Sequence, residues 1–140
     1  MVVLDDTVRI IRDTSTFSTS VRVSVTNQDD RPFYTFPCGH TLMRRSASAD
    51  HAVFSQPCPE GPRIPVAVEP GHGTTVRIVL RVRRDTLGDR WPNGSIDGDY
   101  YVIAWLVSSP PTAGFSSLPL PTRRRTSPTF PARLRVVADG

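Results

Sequence analysis

Two stretches of this chain alternate apolar and polar side chains with a period of two residues, and that pattern constrains the fold more than any other feature. Over residues 20–27, Val21, Val23 and Val25 alternate with Arg22, Ser24 and Thr26. Over residues 74–83, Val76, Ile78, Leu80 and Val82 alternate with Arg77, Val79, Arg81 and Arg83. Successive side chains of a strand point to opposite faces, so each stretch reads as a strand with one face on a core and one in water. No helix-length window free of proline and β-branched clusters carries apolar residues at i, i+3 and i+4, which argues against an all-α fold. The 14 prolines and 9 glycines break the rest into short segments.

Residues 7–12 read as a first strand, and residues 33–36 as the strand that follows the turn cluster 27–32 and ends at Pro37-Cys38-Gly39. Residues 41–45 and 52–55 are weaker strands. Residues 64–69 form an edge strand, because Pro65 has no N–H for a ladder and Pro70-Gly71 ends the run. After a polar loop over 85–97, residues 100–107 are apolar on both faces, which places them centrally in a sheet or against a partner. Residues 108–128 are a long loop rich in Pro and Ser that carries Arg123-Arg124-Arg125, and residues 129–137 close the chain as a strand. With 38% apolar and 21% charged residues the chain is too apolar for disorder, and 140 residues suit one core. The expected architecture is all-β: a single antiparallel β-sandwich domain over 1–140, of about seven to nine short strands with turn signals every ~8–12 residues.

The run Val21-Arg22-Val23-Ser24-Val25-Thr26-Asn27, the Arg31-Pro32-Phe33-Tyr34 segment, Pro70-Gly71 ahead of a long strand and Gly98-Asp99-Tyr100 opening a later one resemble bacterial immunoglobulin-like sandwiches. Among these the chain is most similar to the domain called intracellular proteinase inhibitor, over most of its length. The resemblance implies an immunoglobulin-like fold. It also raises inhibition of a peptidase, with an exposed loop acting as a substrate mimic; loops 57–62 and 108–128 are the candidates.

Cys38 and Cys58 are the only cysteines, and each follows a proline. An even count in a small Pro-rich sandwich reads as a disulfide and implies an oxidising compartment, hence an exported protein of the periplasm, cell surface or exterior. Two free core thiols and a metal site using Cys38, His40 and Cys58 are the competing readings, the second weakened by the lack of another close ligand pair. The start, Met1-Val2-Val3-Leu4-Asp5-Asp6, lacks the basic region and apolar core of an export signal, so Met1 is expected to replace a removed signal or the end of an upstream domain. No apolar run approaches the ~20 residues that span a bilayer, and no membrane insertion is expected.

Catalytic chemistry finds little support. His40, His51 and His72 fall in loops or strand ends with no metal-binding spacing, and surface histidine is the default reading for each. No serine sits in a Gly-x-Ser-x-Gly elbow, and Glu69 beside Pro70-Gly71 reads as a strand terminus. Residues 93–99 carry oxygen ligands at calcium-loop spacing with glycine at the sixth position, but Ala104 stands where the bidentate glutamate belongs, so a polar turn is expected, with Tyr100 packed at a sandwich corner. The expected chain is not an enzyme and holds no metal or cofactor.

Two surfaces remain. If Tyr100, Val102, Ala104 and Leu106 face the core, then Tyr101, Ile103, Trp105 and Val107 face out, an apolar stripe that the loop 108–128 or another chain must cover. Arg22, Arg77, Arg81 and Arg83 share an outer face if their strands are neighbours. All 17 basic residues are arginine, but they are dispersed and the net charge is only +4. No specific nucleic-acid binding is therefore expected, and any attraction to an anionic polymer is weak. The leading expectation is a non-catalytic protein-interaction or structural module with a protein partner or self-association. A carbohydrate-binding module using Trp91, Trp105 or Tyr101 as stacking platforms stands beside the inhibitor as an alternative.

Overall fold

A computed structural model describes residues 1–5, 8–13, 15–58, 60, 64–83, 96–109 and 118–136. Among these residues the chain is all-β, with eleven strands and one short helical turn: β1 (Val2–Val3), β2 (Val8–Arg12), β3 (Thr16–Thr26), β4 (Phe33–Thr35), β5 (Thr41–Arg44), β6 (His51–Ser55), β7 (Val66–Val68), β8 (Gly73–Arg83), β9 (Gly98–Ile103), β10 (Leu106–Val107), α1 (Thr122–Arg125) and β11 (Phe130–Val136). The strand count exceeds the expected seven to nine because β1 adds a short strand ahead of the expected 7–12 and because the expected strand 100–107 is split into β9 and β10.

The two alternating stretches pair with each other. β3 and β8 run antiparallel over eleven positions, from Thr16 opposite Arg83 to Thr26 opposite Gly73. In that register Val21 faces Ile78 and Val23 faces Val76, all buried, while Arg22 and Arg77 stand opposite each other in water. Each such buried aliphatic side chain contributes ~1.5–3 kcal/mol relative to exposure, so a slip of one residue, which would exchange the two faces, is strongly disfavoured.

The second layer is built from β11, β9, β5 and β6. β2 joins the layers: it hairpins onto the start of β3 and runs parallel to β11 from Val8 opposite Ala132 to Arg12 opposite Val136. This is the one parallel pair among the described strands. Because Val21, Ile78 and Leu80 from the first layer share one buried cluster with Leu42, Val53, Tyr100 and Val102 from the second, the hydrogen-bonded path folds over on itself as a sandwich. Where β1 gives way to β2 along the edge of β3, the carboxylate of Asp5 takes over the ladder, accepting the Arg22 backbone N–H at 2.7 Å and its guanidinium at 3.0 Å.

A small sheet, β10-β4-β7, closes one end of the sandwich. Buried Asn27 anchors it: its side-chain amide donates to the carbonyls of Arg31 and Val68, both at 2.8 Å, and its carbonyl oxygen accepts the Asp29 N–H. The turn 27–32 therefore holds the end of β3 to β7. The Tyr100 ring is fully buried at the start of β9, and its hydroxyl donates to the carbonyl of Ile96 four residues upstream. The segment 108–128, read as a loop, contains the α1 turn, and its return leg pairs with β10: Leu120 N–H donates to the Leu106 carbonyl at 2.9 Å.

Candidate interaction face

The outer side of the second layer carries a row of half-buried, largely apolar residues. Antiparallel pairing of β5 with β9 sets Met43 opposite Tyr101 and Thr41 opposite Ile103. These four side chains point away from the core, where their neighbours Leu42 and Val102 are buried. The Tyr101 hydroxyl reaches beyond the strand pair and donates to Asp50 at 2.6 Å. Loss of solvent and the adjoining Asp50 carboxylate push the Tyr101 pKa up to about 12, while the same hydrogen bond lowers that of Asp50.

The alternation read from sequence stops at Ile103. β9 ends there, residues 104 and 105 cross to the small sheet, and Leu106 and Val107 are both buried. Val107 therefore lies off the exposed stripe: it packs in a second apolar cluster with Phe36 and Cys38. The physical reason is that a strand changing sheets buries one face against each, so consecutive residues both go inward. Trp105, at the crossing, is half-buried and stacks on Phe36 with ring centroids 4.5 Å apart. Its cover comes from the strand β4 end and the cysteine loop. Of the large apolar side chains in the loop 108–128, Leu120 joins the main core, Leu118 is 73% exposed, and Phe115 lies outside the described residues.

Cys38 and Cys58 form a disulfide, with Cα atoms 5.1 Å apart and 20 residues of separation. With the sulfurs joined to each other, the free-thiol and metal readings no longer stand. The segment between Phe36 and His40 then turns sharply through Gly39, whose φ of 82° suits glycine. A Cβ there would lie 2.2 Å from the Trp105 ring. His40, expected at the surface, is 1% exposed. Its Nε2 donates to the Phe36 carbonyl at 2.8 Å, and its Nδ1 accepts the Trp105 backbone N–H at 3.0 Å. Those two bonds define the neutral imidazole, and burial lowers its pKa accordingly. The only advance sign of this role was the Pro-Cys-Gly-His succession that brings a ring nitrogen back toward the preceding strand.

The arginines of β3 and β8 come to one outer face: Arg22, Arg77, Arg81 and Arg83 are all exposed there, with Val79 47% exposed between them. Arg22 is bound by Asp5, and Arg77 donates to the Ser20 hydroxyl at 3.2 Å. Asp5 offsets the like-charge opposition of Arg22 and Arg77. At the other end of the face Arg81 lies near Asp13, whose pKa is lowered chiefly by N–H donation from Ser15 and Thr16.

Asp97, from the calcium-like run, spends its carboxylate on the Leu134 N–H at 2.6 Å, while residues 93–95 and Trp91 lie outside the described residues. The same holds for Pro59, Gly61 and Pro62 of the inhibitor-loop candidate 57–62. Among the described residues no group of three or more His, Cys, Asp or Glu side chains is placed to hold a metal, and no helix is long and apolar enough to cross a membrane.

No protein-family model matches the chain, and no curated protein matches it. Among solved structures it is similar to a protein from Archaeoglobus fulgidus, at a TM-score of 0.39 and 20% identity over 84% of this chain and 82% of that one. It is also similar to part of the β-glucosidase from Kluyveromyces marxianus solved in complex with glucose, at a TM-score of 0.28 and 15% identity. That match takes in 91% of this chain and 14% of the glucosidase. At these TM-scores neither likeness bears on fold or function.

Proposed function

We propose that the chain is a single non-catalytic, immunoglobulin-like module of an exported bacterial protein, and that it contacts another protein through the outer face of β5 and β9. The observation that carries this reading is the register that lines up Met43 with Tyr101 and Thr41 with Ile103 as one half-exposed, largely apolar row. Such a row on a sheet face gains from exclusion of water by a partner, and Tyr and Met are residue types enriched where proteins meet.

Support for the immunoglobulin-like part comes from Tyr100, whose buried ring and upstream hydroxyl bond form the corner found in sandwiches of that kind. Support for export comes from the Cys38–Cys58 bond, since disulfides persist in oxidising compartments. Support for a non-catalytic role comes from the described residues whose protonation equilibria are displaced. Asp13 caps a turn, His40 bridges two backbone segments, and Asp50 and Tyr101 bind each other. Each is committed to structure. The arginine face adds general attraction to anions without base-specific recognition.

The test is site-specific photo-crosslinking in an envelope fraction of the source cells, with the photoreactive residue at Ile103 or, as a control on the other layer, at Val79. Protein adducts formed from Ile103 and not from Val79 support the reading. Equal adducts from both positions, none from either, or capture of glycan instead of protein count against it.

A further inference from the structure

We propose that the cavity beside α1, at the end of the sandwich where the small sheet lies, is a binding site for a carboxylate carried on an apolar body. Independent of the β5–β9 face, a cavity of about 380 Å³ opens there. That volume lies at the lower end of the range that holds small organic ligands. Four core residues line it, Val25 from the end of β3, Phe33 from β4, Leu106 from β10 and Leu120 from the returning loop, with Met1, Val2 and the polar Gln28 beside them. Its rim carries Arg123 and Arg124.

The three consecutive arginines at this place have three different fates. Arg125 turns inward and donates to the carbonyls of Leu120 at 2.7 Å and Ala104 at 3.3 Å, which fixes the α1 turn against the sheet. Arg124 pairs with Asp29 across the mouth of the cavity. Arg123 lines the cavity and is exposed, and no partner of its guanidinium is seen among the described residues. A guanidinium fork favours planar carboxylate oxygens, and the aliphatic and aromatic lining favours the hydrocarbon behind them. A free fatty or aryl acid and the C-terminal carboxylate of a peptide ending in an apolar residue share that chemistry. Asp29 already neutralises Arg124, so Arg123 is the primary anion contact and the Arg124–Asp29 pair a tunable one.

The test is an NMR titration of the isotope-labelled chain with octanoate below its micelle range. The expected result is saturable shifts of the amides of Val25, Phe33, Leu106 and Leu120, with 1-octanol and the Arg123→Gln variant each about tenfold weaker, the effect of one charge-assisted contact. Asp29→Asn, which releases Arg124, is expected to tighten octanoate binding; weaker binding there would contradict the assignment. A peptide ending in leucine, compared with its amidated form, separates the sources. Preference for the free-acid peptide over octanoate assigns the site to a chain terminus, and the reverse assigns it to a small acid. Shifts scattered over the surface, no saturation at the cavity with either probe, or undiminished binding to Arg123→Gln would overturn the proposal.

Discussion

The imidazole Nδ1 of His40 accepts the backbone N–H of Trp105 at 3.0 Å, joining segments 65 residues apart at the point where β9 breaks into β10. Trp105 N–H has left the main sheet there and has not entered the small one, so a side chain takes the place of a strand partner. Through its other nitrogen His40 holds the end of β4, and the disulfide loop packs over the same cluster.

This contact makes stability depend on pH. An unfolded histidine titrates near 6.5, and burial lowers the value for folded His40. A base with a depressed folded pKa is bound to fewer protons in the native state, so its contribution is complete above about pH 6.5 and falls as pH drops below it. Urea midpoints measured from about pH 7.5 down to about pH 5 should therefore decline more steeply for the wild type than for His40→Gln. Equal slopes would show that His40 is not the titrating group. At neutral pH, His40→Leu should cost ~1–3 kcal/mol by leaving the Trp105 N–H without an acceptor.

Gly39 and Gly71 make a matched pair for the neighbouring contact. Both have positive φ, of 82° and 79°, but a Cβ on Gly39 meets the Trp105 ring whereas one on Gly71 meets nothing within 4 Å. Gly71→Ala should cost about 1–2 kcal/mol from backbone conformation alone. Gly39→Ala should cost a further ~1–3 kcal/mol from displacing Trp105, read as a lower urea midpoint together with a shift of the Trp105 indole resonance. Equal costs at the two sites would remove the ring contact from the account.

The disulfide closes a loop of 20 residues of separation. Restriction of the unfolded chain by a loop of that size stabilises the fold by about 3 kcal/mol. The Cys38→Ser, Cys58→Ser double variant should melt lower by that amount while retaining its β-sheet circular dichroism. Intact mass of the wild type should be two hydrogens below the reduced value, and two free thiols in the denatured, unreduced protein would contradict the bond.

The strands most visible in the sequence were those whose burial is decided by one sheet. β3 and β8 keep strict alternation because each has one core face and one solvent face throughout, and their pairing follows from the complementary rows of Val21, Val23, Ile78 and Leu80. The Arg face is legible for the same reason. The alternation through residues 100–107 misplaced Val107 because a period-two pattern carries no mark of the position at which a strand changes sheets. His40 was hidden for a related reason: what buries it is a backbone N–H 65 residues away, and a histidine in a glycine turn looks the same whether that partner arrives or not. Met43, which completes the candidate face opposite Tyr101, belongs to a strand with only four residues, too short for its alternation to stand out.

The contact face itself is tested most directly by keeping the photoreactive residue at Ile103 and replacing Met43, which stands beside it opposite Tyr101. Met43→Asp places a charge on the outer row without touching the core. Its adduct yield should fall about tenfold or more, as expected for a buried anchor in an interface, with the melting transition still cooperative. An adduct yield unchanged from the wild-type background would contradict the assignment of this face to a protein partner.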